Sequence, residues 1–143
     1  MDFTTRAKGW FERALHEPDE FVKYVLMFIS LEAGVKSEFK TLRDIKHNVS
    51  IKDKFFKKIR QEDLILLVSK LEENPLLNMN QNGDQRWSGV IKSTTDFDGI
   101  IEFLIRARNN LFHGDKQFGD ERDLFIVTTG NKILEPFVEA ILW

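Results

Sequence analysis

The sequence contains no cysteine, and this absence excludes disulfides, thiolate nucleophiles and thiolate metal sites together. It fits a reducing, cytoplasmic setting. The opening Met1-Asp2-Phe3-Thr4-Thr5 has no apolar run of the signal-peptide kind. Val25-Leu26-Met27-Phe28-Ile29 is far too short for a bilayer, which takes about 20 apolar residues. A soluble protein without a membrane partner is therefore expected. There is no Gly-x-Ser-x-Gly elbow, no His-Glu-x-x-His pair and no dinucleotide fingerprint. Neither His16 nor His47 has metal-ligand neighbours at useful spacing, so no metal and no cofactor are expected. Asn82-Gly83-Asp84-Gln85 lacks the glycine spacing and the lysine of a phosphate-cradling loop.

What is present suits one soluble globular domain over residues 1–143, with 42% apolar and 31% charged residues. The net charge of −2 argues against a dedicated, salt-driven nucleic-acid coat. The charge is uneven, because Lys36 to Arg60 carries +6 and the remainder −8. A run of this kind reads first as a solvated face and second as a phosphate-steering surface near a site.

Apolar periodicity predicts an all-α fold, an antiparallel bundle of about five helices. Residues 5–16 form a first helix with Trp10, Phe11, Ala14 and Leu15 on one side, ended by His16. Pro18-Asp19-Glu20 opens a second, which runs to about Ala33 with Gly34 as its stop. Its apolar positions nearly encircle it, which marks it as the central core helix. Lys36 to Lys46 comes next as a helix with Phe39, Leu42 and Ile45 inward, then Ile51 to Ile59 capped by Ser50, then Gln61 to Glu73. Residues 74–95 read as one long polar loop with a marginal hairpin, placed to cover or gate the end of the next helix. Asp96 caps that helix, and Gly119-Asp120 opens the last, where Pro136 makes a kink or a second start.

The chemistry concentrates at the end of the helix that Asp96 caps. Arg106-Ala107-Arg108-Asn109-Asn110-Leu111-Phe112-His113-Gly114-Asp115-Lys116 brings cations, amides and a histidine together, with Gly114 as the helix stop. Asn109 and His113 are four apart, about 400° of rotation, and share a face. Arg108 lies about 140° from His113, so its long side chain has to reach around or the last turn has to deform. Three readings stand for the cluster: a polar helix end bonding its own last carbonyls, a catalytic site, and a binding interface. Requiring Asn directly after the Arg lowers the chance frequency of the motif to roughly 0.03 per chain of this composition, which separates it from a bare Arg-His spacing.

Arg108-Asn109-Asn110-Leu111-Phe112-His113 resembles the Arg-Asn-x-x-x-His signature of the HEPN family, small α-helical domains of prokaryotic defence, toxin and RNA-processing proteins. Leu111-Phe112-His113-Gly114, Arg122-Asp123-Leu124 and the early Trp10…Ala14-Leu15…Asp19-Glu20-Phe21 look like the family as well. One branch carries Tyr two residues after the His; here Asp115 stands there, so that branch and its partner-modification chemistry are not supported. The resemblance implies a metal-independent endoribonuclease, a toxin or defence enzyme with a composite site across a homodimer. In it the RNA 2′-hydroxyl attacks, His113 moves the proton and Arg108 stabilises the phosphate charge, while Asn109, one turn below His113, is placed to orient the imidazole or to hold a phosphate oxygen. Asn110 and Lys116 are the lesser candidates, for substrate phosphate. The dipole at a helix C-terminus, with Asp115 beside it, favours the protonated imidazole. RNA and an antitoxin or regulatory protein are the implied partners. The alternative is a non-catalytic HEPN-like module for dimerisation or for RNA or nucleotide binding.

Overall fold

The computed structural model describes residues 2–76, 87–112 and 121–143, and every regular element among them is a helix. In chain order they are α1 (Phe3–Leu15), α2 (Glu20–Lys36), a 3-10 helix (Leu42–His47), α3 (Val49–Lys58), α4 (Gln61–Glu73), α5 (Phe97–Phe112) and α6 (Glu121–Leu142). The expected all-α bundle is present, with six α-helices and one 3-10 helix where about five helices were anticipated. The hairpin expected around Asn82-Gly83 and the stop at Gly114 lie outside the described residues.

Short acidic and amide side chains start α1, α2 and α3, because the first amides of a helix lack acceptors within it. Asp2 accepts from the Thr5 amide at 2.7 Å, so α1 begins ahead of residue 5. Asp19 accepts from the Phe21 and Val22 amides at 2.9 and 3.1 Å, as the Pro18-Asp19-Glu20 pattern predicts. The cap of α3 is Asn48 rather than Ser50: its side chain takes the Ile51 amide at 2.9 Å and the helix starts at Val49.

Gly34 does not stop α2, which runs on to Lys36. Its missing side chain serves packing instead, since a Cβ there would lie 3.1 Å from Leu142 and 3.3 Å from Ile141. The expected single helix from Lys36 to Lys46 is not formed: α2 ends at Lys36 and only a 3-10 helix follows, at Leu42–His47. The Ser37 hydroxyl bonds back to the Gly34 carbonyl at 2.7 Å, and Asp44 accepts from the Thr41 amide at 2.9 Å to open the 3-10 helix. Leu42 and Ile45 still point inward, with Phe39 partly buried.

The core is shared between α2, packed on α1 and α6, and α6, which also meets α3, α4 and α5. Pro136 sits inside α6 without dividing it. The proline removes the bond to the Lys132 carbonyl, and Lys132 is exposed, where water can replace it. Heavy phenylalanine usage has its purpose here. Phe55 packs against Phe137 at 5.3 Å between ring centroids, and Phe97 against Phe137 at 5.7 Å. Burying such a ring stabilises the fold by about 1.5–3 kcal/mol, and this cluster fixes the first turn of α5. Farther along, the buried Tyr24 hydroxyl donates to the Leu104 carbonyl at 2.8 Å and ties α5 to α2. Burial pushes the Tyr24 phenol well above its usual range, so it stays a neutral donor.

Candidate functional site

Asp96 sets the start of α5, accepting from the Gly99 amide at 3.0 Å and from the Lys92 amide at 3.0 Å. Ile100, Ile101, Phe103, Leu104 and Ala107 then seat the helix in the core. With that face buried, each remaining position is aimed by helical geometry, about 100° per residue.

Arg108 is half-buried against α2. Its Nε lies 3.4 Å from a Glu32 carboxylate oxygen, and its Cζ lies 5.6 Å from the centroid of the Phe28 ring. Its Nη1 donates to the Asn109 side-chain oxygen at 3.1 Å. Asn109 is exposed. Both residues line a cleft of about 270 Å³ whose other wall is the end of α2 and the start of the 3-10 helix, including Lys36, Lys40 and Arg43. The second reading of the basic run therefore gains a geometric basis, since part of it faces the motif.

Asn110 does not share this cleft. It is 3% exposed and lines a separate cavity of about 140 Å³ with Phe21, Leu76, Arg122 and Ile126. Arg106, two positions before Arg108, points the other way: it donates to the Trp87 carbonyl at 3.1 Å and lies 4.9 Å over the Trp87 ring. A guanidinium held over an indole adds about 0.5–2 kcal/mol, so Arg106 binds the described ends of the 74–95 segment to α5. Arg122, at the start of α6, donates to the Asn74 carbonyl and closes the same corner. His113 and Lys116 lie outside the described residues; α5 runs to Phe112, directly before His113.

Glu102 joins the basic segment to α5. Arg43 Nε donates to it at 2.8 Å and Lys46 Nζ at 2.8 Å. Burial alone would raise its carboxyl, but the hydrogen bonds from Arg43 and Lys46 outweigh this and hold it below the usual range. The sequence singled out neither Glu102 nor the Phe28–Glu32 pair. Phe28 and Glu32 are four apart on α2, a same-face spacing, but nothing local indicates which helix that face meets. Among the described residues no group of histidines and carboxylates is placed to hold a metal ion, and no helix is long and apolar enough to cross a membrane.

The fold and cleft define an all-helical domain with a cationic groove beside the end of one helix. The chain matches no protein-family model, no curated protein and no solved structure at significant similarity.

Proposed function

We propose that this protein is a metal-independent endoribonuclease of the HEPN type. The observation that carries the reading is the placement of Arg108 and Asn109, bonded to each other, on a cleft whose facing wall supplies Lys36, Lys40 and Arg43. The motif's cation and amide thus meet the surface that a phosphodiester needs. The 2′-oxygen attacks the adjacent phosphorus as His113 takes its proton, the bond to the 5′-oxygen breaks, and that oxygen takes a proton from the imidazolium of the second motif as it leaves. The products are a 2′,3′-cyclic phosphate and a 5′-hydroxyl. Arg108 stabilises charge on the pentavalent phosphate, an effect of several kcal/mol when a donor is pre-aimed. One imidazole cannot be base and acid in the same step, so the reading includes a homodimer that brings two motifs to one site. It also includes a cytoplasmic toxin or defence role, with a regulatory partner to restrain it.

The test compares the wild type with His113→Ala and Arg108→Ala on mixed RNA in EDTA, with product ends mapped and folding and dimerisation confirmed for each variant. General acid–base catalysis contributes about 10²–10⁴-fold, so cleavage should fall by at least that in His113→Ala and leave cyclic phosphates in the wild type. Cleavage that both variants retain would sink the assignment.

The contacts of Arg108 favour a second reading. Glu32, Asn109 and Phe28 already engage it within the protomer, as a positioning side chain in a non-catalytic binding or dimerisation module would be. No cleavage by any form, with dimerisation weakened in Arg108→Ala, selects that reading.

A further inference from the structure

We infer that the cleft between the end of α2, the 3-10 helix and α5 binds a single-stranded polynucleotide backbone, with Lys36 and Lys40 as its phosphate contacts. The choice of RNA as the strand rests on the ribonuclease reading, while the binding itself does not require cleavage.

Charge selects the kind of ligand. The cleft lining holds four cations, Lys36, Lys40, Arg43 and Arg108, and a single carboxylate, Glu32, on a chain whose net charge is −2. This sign is local and opposes the molecule's own. Two of the cations are already engaged, Arg43 with Glu102 at 2.8 Å and Arg108 with Glu32 at 3.4 Å. Lys36 and Lys40 are both exposed, and they border the cleft from the wall facing α5. Flexible ammonium groups on a rim suit the phosphates of a strand, which demand charge without fixed geometry.

The floor points to a single strand. Phe28, Val35, Leu42 and Ile105 line the cleft together with the cations, and all but Ile105 are buried. A positive groove with apolar lining suits unpaired nucleotides, whose bases are free to leave the stack and meet such surface. A duplex keeps its bases inside and has no use for such a floor. The 3-10 helix is fixed to α5 by the Arg43 and Lys46 bonds to Glu102, and α2 by the Tyr24 bond to the Leu104 carbonyl and the Glu32–Arg108 pair, so the groove exists before any strand arrives.

The test uses the full chain carrying His113→Ala, so that RNA remains intact. Binding of a labelled single-stranded RNA of about 12 nucleotides, within the range of site sizes for such grooves, is measured by anisotropy across a salt series. Adding Lys36→Ala and Lys40→Ala should weaken binding at least tenfold at low salt. It should also reduce the slope of log affinity against log salt by about 1.4, from about 0.7 per lost phosphate contact on a single strand. Lys54→Ala with Lys57→Ala, exposed cations of the same basic segment on α3, should change affinity less than twofold. An unchanged slope, an equal loss in the α3 pair, equal affinity for duplex RNA, or no polynucleotide binding at all would each overturn the inference. The outcomes also separate the two readings. Lysine-dependent binding by a protein whose wild type cuts no RNA removes the nuclease and keeps the groove. Cleavage by the wild type with binding indifferent to Lys36 and Lys40 does the reverse.

Discussion

Arg108, Asn109 and Asn110 are consecutive in sequence yet meet different surroundings, because each step along a helix turns the side chain by about 100°. Arg108 leans on α2, Asn109 stands exposed at the cleft, and Asn110 is buried toward α6. Contiguous polar residues on a helix are therefore not a contiguous site. Glycine offers a second case at this scale. Gly130 lies inside α6, where alanine is the better helix former by about 1 kcal/mol. A Cβ there would lie 2.7 Å from the Tyr24 ring, which is fully buried and held by its bond to Leu104. Overpacking of this kind costs about 1–3 kcal/mol, so the packing term should win. Gly130→Ala is expected to lower stability by up to about 2 kcal/mol after the propensity gain. Urea denaturation checks the sign, and a stabilised variant would show that Tyr24 moves freely.

At the scale of the element, α5 carries the motif, and its register is set far from the motif. Asp96 accepts two amides and Phe97 enters the phenylalanine cluster, so the start of the helix is held on both its polar and apolar sides. Asp96→Ala removes a cap, which costs about 1–2 kcal/mol, and should speed hydrogen exchange at the Gly99 amide. If exchange there is unchanged, Phe97 alone fixes the start. Much at this scale is legible in the sequence: Asp19, Asp96 and most of the buried positions are local signals read correctly, while Leu15 on α1 and Val22 and Ile29 on α2, read as part of apolar faces, stand exposed because no neighbouring element covers them. The failures are local signals with rivals. Ser50 is a good cap, but Asn48 is an equally good one two residues earlier. Gly34 reads as a stop until the close approach of Leu142 gives it another reason to be glycine.

For the whole molecule, Glu102 is the polar link between the basic segment and the motif helix, beside the apolar one of Phe55 on Phe97. Its side chain is 15% exposed, and Arg43 and Lys46 hold its carboxyl below the usual range. A group with a lowered folded pKa contributes stability above its unfolded value, near 4.3, and that contribution is lost as pH falls through the folded value. Glu102→Gln should therefore cost about 1–2 kcal/mol near neutrality. The gap from wild type should close as pH drops below about 4. Thermal melts of both proteins from neutral pH down to about pH 3 measure this, and a gap that persists at the acid end would mean that shape rather than charge joins the two parts.

The sequence by itself determined most of the helical stretches and most of their apolar positions, because periodicity and capping are matters of neighbours a few residues apart; it did not show that the Lys36–Lys46 stretch ends in a 3-10 helix. It did not determine that Lys36, Lys40 and Arg43 face Arg108 across a cleft, or that Asn110 turns away from it. Those relations join residues tens of positions apart, and they arise from how α2 and α5 pack around Tyr24 and how Glu102 draws in the 3-10 helix. Contacts of that range are decided by the simultaneous fit of several buried faces, a property that belongs to the assembled core and to no single segment.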